Sequence, residues 1–273
     1  MLMAADIGNT QTVLGVFEGD ELRARWRVAT EAHRSADEIG AACASLLGLR
    51  GMRLGEVEAL IVSSDVPPLI RSYKNLARGL LDVPFYSVSS EMKTGLNNLY
   101  DDPKAVGADR IVNSVATGNY YGFPAVIVDF GTATTVCAVD GEANYRGGAI
   151  LPGIYVSLDA LVSKAAKLAN VDLEEGVPKA IATNTPDSIR SGFIYGYAGA
   201  VDALIRRFRE ELGAAENLRA VATGGPAPAI VRHCREIGTL DPDLTLKGLR
   251  VLYEMNAEPN ALRDAGKATR SAR

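Results

Sequence analysis

The chain has 273 residues, of which 47% are hydrophobic and 23% charged, and a formal net charge of -4. That length is enough for two cores, the composition is ordinary for a globular protein, and the slight negative charge gives no electrostatic case for binding nucleic acid. No apolar run reaches the ~18 residues of a membrane span, and the N-terminus enters a strand with no basic region or cleavage site, so no membrane association and a cytoplasmic location are expected.

Leu2 to Ala5 read as a buried strand. It leads into Asp6-Ile7-Gly8-Asn9-Thr10-Gln11-Thr12 and then a second strand, Val13 to Phe17, which turns at Gly19-Asp20. Gly8 lets the backbone come close to a ligand. Turn amides with Asn9, Thr10 and Thr12 can donate to phosphate oxygens. Asp6 cannot donate, so it fits a phosphate site only by holding a cation or a water on a cation. Plain turn chemistry is the alternative reading of the same residues. Ser35-Ala36-Asp37-Glu38 then forms a capping box for a helix with Ile39, Cys43, Leu46 and Leu47 as its apolar stripe. Ala59 to Ser63 is a short strand. Pro67-Pro68 starts a helix through Leu69, Tyr73, Leu76 and Leu80. Val83 to Val88 is a strand placed at a sheet edge by Pro84, which has no N–H for a ladder. This order predicts a mixed α/β sheet.

The segment from Lys93 to Tyr121 is a loop followed by a helix that carries Val112, Val115 and Ala116 on one face. Gly107-Ala108-Asp109-Arg110 lies at the start of that helix. An acid there can simply serve the helix dipole. Alternatively, Gly107 allows a ligand to approach, with Asp109 as a base and Arg110 as a fork for a carboxylate.

The opening motif recurs. Asp129-Phe130-Gly131-Thr132-Ala133-Thr134-Thr135 follows the strand Ala125 to Val128. A gapless superposition puts Asp6 on Asp129, Gly8 on Gly131, Thr12 on Thr135 and Val13 on Val136. Each copy continues into a third strand (Glu21 to Val28; Asn144 to Leu151). The repeat implies two similar domains, 1–118 and 119–244, facing each other with a nucleotide's phosphates between the two turns. Further on, Thr185-Pro186-Asp187 reads as a helix start with Thr185 as N-cap. The helix runs to about Leu212, with Ile189, Phe193, Tyr197, Ala200, Leu204 and Phe208 as its stripe. Gly192, Gly196 and Gly199 cost ~1 kcal/mol each in a helix interior, so they imply close backbone contact, either within the chain or across a dimer seam. Thr223-Gly224-Gly225 joins a strand to a helix, as a tight turn or a seat for an adenine. A last helix, 245–256, is expected to pack back on the first domain, and 257–273 reads as a mobile tail. Cys43, Cys137 and Cys234 are expected as buried reduced thiols. His33 and His233 are too far apart for metal-ligand spacing.

With its two aspartate turns the chain resembles the actin-like ATPase and sugar-kinase superfamily, whose α/β domains are ribonuclease H-like, with mixed sheets flanked by helices. More specifically, it resembles the type III pantothenate kinases. The resemblance rests on Asp6 to Thr10, Ser63-Ser64 with Val66-Pro67, Thr94-Gly95-Leu96 with Tyr100, and Pro103 with Val106 to Arg110. It continues through Asp129 to Thr135, Gly147-Gly148, Pro152-Gly153, Asn184-Thr185, Thr223 to Gly225 and Asp241-Pro242. It implies ATP-dependent phosphorylation of pantothenate, the entry step to coenzyme A. Asp109 would be the base. Tyr100, Gly107, Ala108, Asp109 and Arg110 would hold pantothenate, and Thr185 would reach it from the partner subunit of a homodimer. Asp6, Ile7, Gly8, Asn9, Thr10, Gln11, Thr12, Val13 and Thr132 would bind ATP with Mg2+. Asp129 would help bind a monovalent cation, K+ or NH4+. No Gly-x-x-x-x-Gly-Lys-Ser/Thr stretch is present, so the P-loop mechanism does not apply. Another small-molecule kinase on the same fold, or a non-catalytic nucleotide-binding regulator, are the other functions this pattern admits.

Overall fold

Two units share the chain. One holds Met1–Gly95, Asp102–Ala116 and the helix from Thr245; the other holds Leu96–Asp101 and Thr117–Leu244. The structure is a computed structural model and describes residues 1–165, 171–173, 179–214 and 217–257. The expected tail beyond 257 and most of 166–178 lie outside the described residues.

In the first unit β1 (Leu2–Ile7), β2 (Gln11–Glu18) and β3 (Glu21–Ala29) form an antiparallel meander. β4 (Ala59–Ser64) and β5 (Phe85–Ser87) add to it in parallel, giving the order β3-β2-β1-β4-β5. β5 is at the edge, where Pro84 costs no ladder bond. Helix α1 (Ala36–Gly48) starts at the predicted capping box: the Ser35 N–H donates to Glu38 Oε2 at 2.8 Å and the Glu38 N–H to Ser35 Oγ at 3.3 Å. Ile39, Cys43 and Leu47 are buried in one cluster with Leu60, Val62, Leu69 and Tyr73, and each fully buried aliphatic side chain there is worth about 1.5–3 kcal/mol.

Helix α2 (Pro67–Asn75) departs from the predicted stripe at its end. It passes into a π-helical turn, Leu76–Leu81, closed by Asp82 at φ 52. Bonding from i to i+5 rotates the following side chains off the 3.6-residue period. Leu76 is buried, whereas Leu80 is 53% exposed. Helix α3 (Ala108–Tyr120) begins in this unit. The C-terminal helix (Leu244–Asn256) lies against the same unit's residues: Thr245 Oγ1 donates to Asn113 Oδ1 at 2.8 Å, and a side chain at Gly15 would come within 2.8 Å of Leu246. Arg250, buried, pairs with Asp20 and Glu254.

The second unit repeats the meander as β7 (Ala125–Phe130), β8 (Ala133–Val139) and β9 (Asn144–Pro152), preceded by β6 (Asn97–Asn98). Helices α4 (Ile154–Lys164) and α5 (Thr185–Glu211) follow, then β10 (Arg219–Thr223), α6 (Ala227–Val231) and β11 (Thr239–Leu240). The sheet order is β11-β10-β7-β8-β9-β6, with β10, β11 and β6 parallel to their neighbours. The two-residue β6 was not expected from sequence. Buried residues of α5 (Ile189, Ala198, Val201, Ile205) join β7, β10 and α6 in the core, and the predicted stripe of Phe193, Tyr197, Leu204 and Phe208 flanks that core half-buried. Cys43 and Cys137 are buried and Cys234 is partly exposed, all three unbridged.

The meanders correspond with an offset of one residue from the gapless superposition. Ile7 pairs with Thr12, whereas Phe130 pairs with Thr134. The Gly8 N–H reaches Gln11 O at 3.1 Å, and the Gly131 N–H reaches Ala133 O at 3.0 Å. The second turn therefore closes one residue sooner, and Thr12 corresponds to Thr134 instead of Thr135. Burial agrees: Thr12 is 3% and Thr134 0% exposed, while Val13 and Thr135 are half-buried on the other face.

Candidate active site

The first unit carries the Asp6 turn and the Gly107–Arg110 turn. Asp6 is half-buried at the end of β1, and Asn9, Thr10 and Gln11 are exposed. The chain bends here because Gly8 follows the last buried strand residue, Ile7, and a Cβ at Gly8 would press to 3.2 Å on Gln11 O. Exposed polar groups on a glycine turn fit an anionic phosphate. Thr12 differs from the expectation of a donor hydroxyl: its side chain is buried and its Oγ1 lies 2.8 Å from Thr30 Oγ1.

Asp109 stands in the first turn of α3, half-buried. The Arg110 N–H donates to Asp109 Oδ1 at 2.8 Å. A side chain at Gly107 would come within 2.6 Å of that same oxygen, so Gly107 leaves room for the carboxylate. Burial, first, and the charge of Asp65, second, push the Asp109 carboxyl above its ordinary value, against the backbone bond and charge of Arg110. A carboxylate held this way is a stronger base than a solvated one. Arg110 is buried, 6% exposed.

Asp65 was missed in the sequence. It follows β4, the parallel partner of β1, and its N–H donates to Ile7 O at 3.4 Å, beside the Asp6 turn. Burial raises its carboxyl as well. The signal was an acid directly after a strand, ahead of Val66-Pro67.

In the second unit Gly131 and Thr132 are exposed and Asp129 is half-buried. Two glycines bring backbone onto this turn. Gly153, at the start of α4, donates its N–H to Thr132 O at 3.0 Å, and any side chain there would collide with the Gly131 and Thr132 carbonyls. Gly224, at φ 101, lies so close to Phe130 that a Cβ would also come within 2.7 Å of Asp129 Oδ1. Contact with the Asp129 turn thus accounts for Gly224. Among the described residues no three His, Cys, Asp or Glu side chains group as a metal cage. Asp6 and Asp129 are oxygen donors outside any such cage, which suits a cation held largely by substrate oxygens and water.

Tyr100 also belongs to the second unit, with its ring centroid 6.4 Å from that of Tyr145. Thr185 is the first residue of α5, and the cap is Asn184: Asn184 Oδ1 accepts the Asp187 N–H at 2.9 Å. The expected N-cap role of Thr185 is therefore corrected. Both residue types cap well, and Pro186 tolerates either register. Thr185 is exposed and borders an open depression lined by Leu161, Ser188, Gly192, Phe193 and Tyr197. Gly192, Gly196 and Gly199 are exposed, and among the described residues nothing beyond their own helix backbone lies within 4 Å of a Cβ built on any of them.

The described residues include no helix long and apolar enough to cross a membrane. The sequence model of the type III pantothenate kinase family matches residues 2–207. A type III pantothenate kinase of Rubrobacter xylanophilus is 68% identical over 260 residues, covering 94% of this chain and 98% of that protein. Among solved structures, a putative Baf family transcriptional activator from Campylobacter jejuni aligns at a TM-score of 0.59 and 17% identity, over 93% of this chain and 98% of that one. An archaeal actin homologue aligns at 0.51 and 13% identity, over 93% and 99%. These structural likenesses establish the actin-like ATPase fold.

Proposed function

The chain belongs to the type III pantothenate kinases and so phosphorylates pantothenate with ATP in coenzyme A biosynthesis, and from that premise we propose a division of labour among its residues. Asp109 accepts the proton of the pantothenate hydroxyl as it attacks the terminal phosphoryl group. The observation that carries this is the position of Asp109: a carboxylate in a first helical turn, made room for by Gly107, oriented by the Arg110 N–H and pushed above its ordinary value. Tyr100 and the Gly107–Arg110 turn hold pantothenate, with Arg110 supporting the turn from beneath.

The Asp6–Val13 stretch and Thr132 hold the nucleotide. Asn9, Thr10, Gln11 and Thr132 offer exposed groups; Ile7 and Thr12, both buried, serve by shaping the turn. Mg2+ neutralises charge on the transferring phosphoryl group when bound. Asp6 fits its water shell, and Asp129 fits a monovalent cation such as K+ or NH4+.

The working unit is a cytoplasmic homodimer in which Thr185 completes the partner's pantothenate site. Three exposed glycines on α5 support this, because no contact among the described residues accounts for them. Leu161 of α4 lines the same depression as Gly192, and Tyr155, Val156 and Leu161 are each at least 39% exposed. Mixing two inactive variants tests the shared site. Asp109→Asn and Thr185→Arg, unfolded and refolded together, should regain about a quarter of wild-type turnover, since half the dimers would carry one intact site. No recovery, with mixed dimers shown to form, would place Thr185 outside the partner's site.

A further inference from the structure

We propose that Gly147 is a positioning residue for pantothenate: it forms the seat that fixes the ring of Tyr100, and the proposal rests on the reading of Tyr100 as a substrate-binding residue. Tyr100 follows a short segment stitched onto β9, far away in sequence. The Asn97 N–H donates to Ala143 O and the Leu99 N–H to Tyr145 O, both at 3.0 Å. Asn97 Nδ2 donates to Asn144 Oδ1 at 2.9 Å, and the Tyr100 N–H to Asn98 Oδ1 at 3.1 Å. The place of the tyrosine is thus set by residues 143–147.

A bulge in β9 makes the seat. Gly147 pairs with Ala138 and Tyr145 with Val139, leaving Arg146 as the extra residue. Gly147 sits at φ 106, a conformation that only glycine adopts without strain. A Cβ on it would meet the Cδ2 and Cε2 atoms of Tyr100 at 3.4 Å and, among the described residues beyond its chain neighbours, nothing else within 4 Å. The ring therefore lies directly over the glycine. Tyr145 bounds it on another side and is itself fixed, fully buried with its hydroxyl donating to Cys137 Sγ at 3.4 Å. Gly148 cannot yield, because its α-carbon is packed against the Val136–Cys137 backbone. A Cβ at 147 would touch the ring at ordinary contact distance, so its cost lies in the positive φ, and relaxing that backbone shifts the bulge on which the ring rests.

The test is steady-state kinetics on the full chain with pantothenate and ATP varied in turn. Gly147→Ala should raise KM for pantothenate by about fivefold or more, with KM for ATP within about twofold of wild type, as expected when substrate contacts alone are disturbed. Asn97→Ala, which removes one exposed stitch, should raise the same constant in the same direction and keeps the test decisive if Gly147→Ala does not fold. In a Tyr100→Ala background, adding Gly147→Ala should change pantothenate KM no further, because the two act as a unit. Wild-type pantothenate KM in both single variants would overturn the proposal. So would an effect of Gly147→Ala that is equally large without the Tyr100 ring. An inactive wild-type protein would instead refute the assignment of pantothenate itself.

Discussion

Asp109 is costly to the fold. Its carboxyl is held above its ordinary value by burial and by Asp65, so over the window between the unfolded and the raised native pKa the native state binds more protons than the unfolded chain. Stability falls as pH rises through that window, and above it the charged form carries its full cost. Asparagine has no charge and keeps an oxygen for the Arg110 N–H. Asp109→Asn is therefore expected to be more stable than wild type at neutral pH, with the gap closing as pH drops through the window. Urea midpoints of both proteins across pH would show this, and a variant less stable at neutral pH would contradict it. Carboxylates held low by their partners, Asp140, Asp187 and Glu236, weaken the fold in acid, but they do so in both proteins and cancel in the difference. Asp109 stood out as a candidate because Gly107 beside it leaves room for a ligand, although an acid at a helix start can equally serve the dipole. Asp65 did not, since its importance depends on the parallel pairing of β4 with β1.

Among the elements, the duplicated meanders set up an internal control. Thr12 and Thr134 occupy equivalent buried positions, but only Thr12 meets a hydroxyl, that of Thr30. The residue corresponding to Thr30, one past the Ala133–Pro152 pair, is Gly153. Thr134 Oγ1 has no hydrogen-bond partner among the described residues. Replacing Thr12 by valine should cost about 0.5–1.5 kcal/mol, the net worth of its hydrogen bond. Thr134→Val should cost less or stabilise, because it removes a buried polar atom with no protein partner. Denaturant titration of the two variants decides this, and a larger loss at Thr134 would run against it. The repeat was visible because a glycine turn after an apolar run leaves the same trace twice. Its one-residue offset was hidden by Thr134 and Thr135, either of which matches Thr12 by type. β6 was invisible for a different reason: two asparagines become a strand only through a partner 47 residues away. The π-turn after α2 likewise leaves no mark in a sequence whose leucines still fit a helical period.

For the molecule as a whole, the family membership brings the substrate, and the exposed α5 glycines carry the proposal of a dimer. A leucine at Gly196 meets none of the protomer's described residues within 4 Å at the Cβ, its own helix backbone aside, and improves helix propensity by up to ~1 kcal/mol. Gly196→Leu should thus leave thermal stability of the protomer intact while shifting sedimentation toward monomer and lowering pantothenate turnover. An unchanged dimer would reassign the glycines. The role of Asp109 is tested most directly by turnover with ATP binding measured alongside. Wild type and Asp109→Asn, each with pantothenate, ATP, Mg2+ and K+, would be scored for phosphopantothenate by mass spectrometry and for nucleotide affinity by calorimetry. The expected result is phosphopantothenate from the wild type and a loss of about 10²–10⁴-fold in the variant, with ATP affinity preserved; equal turnover in the two proteins would contradict it.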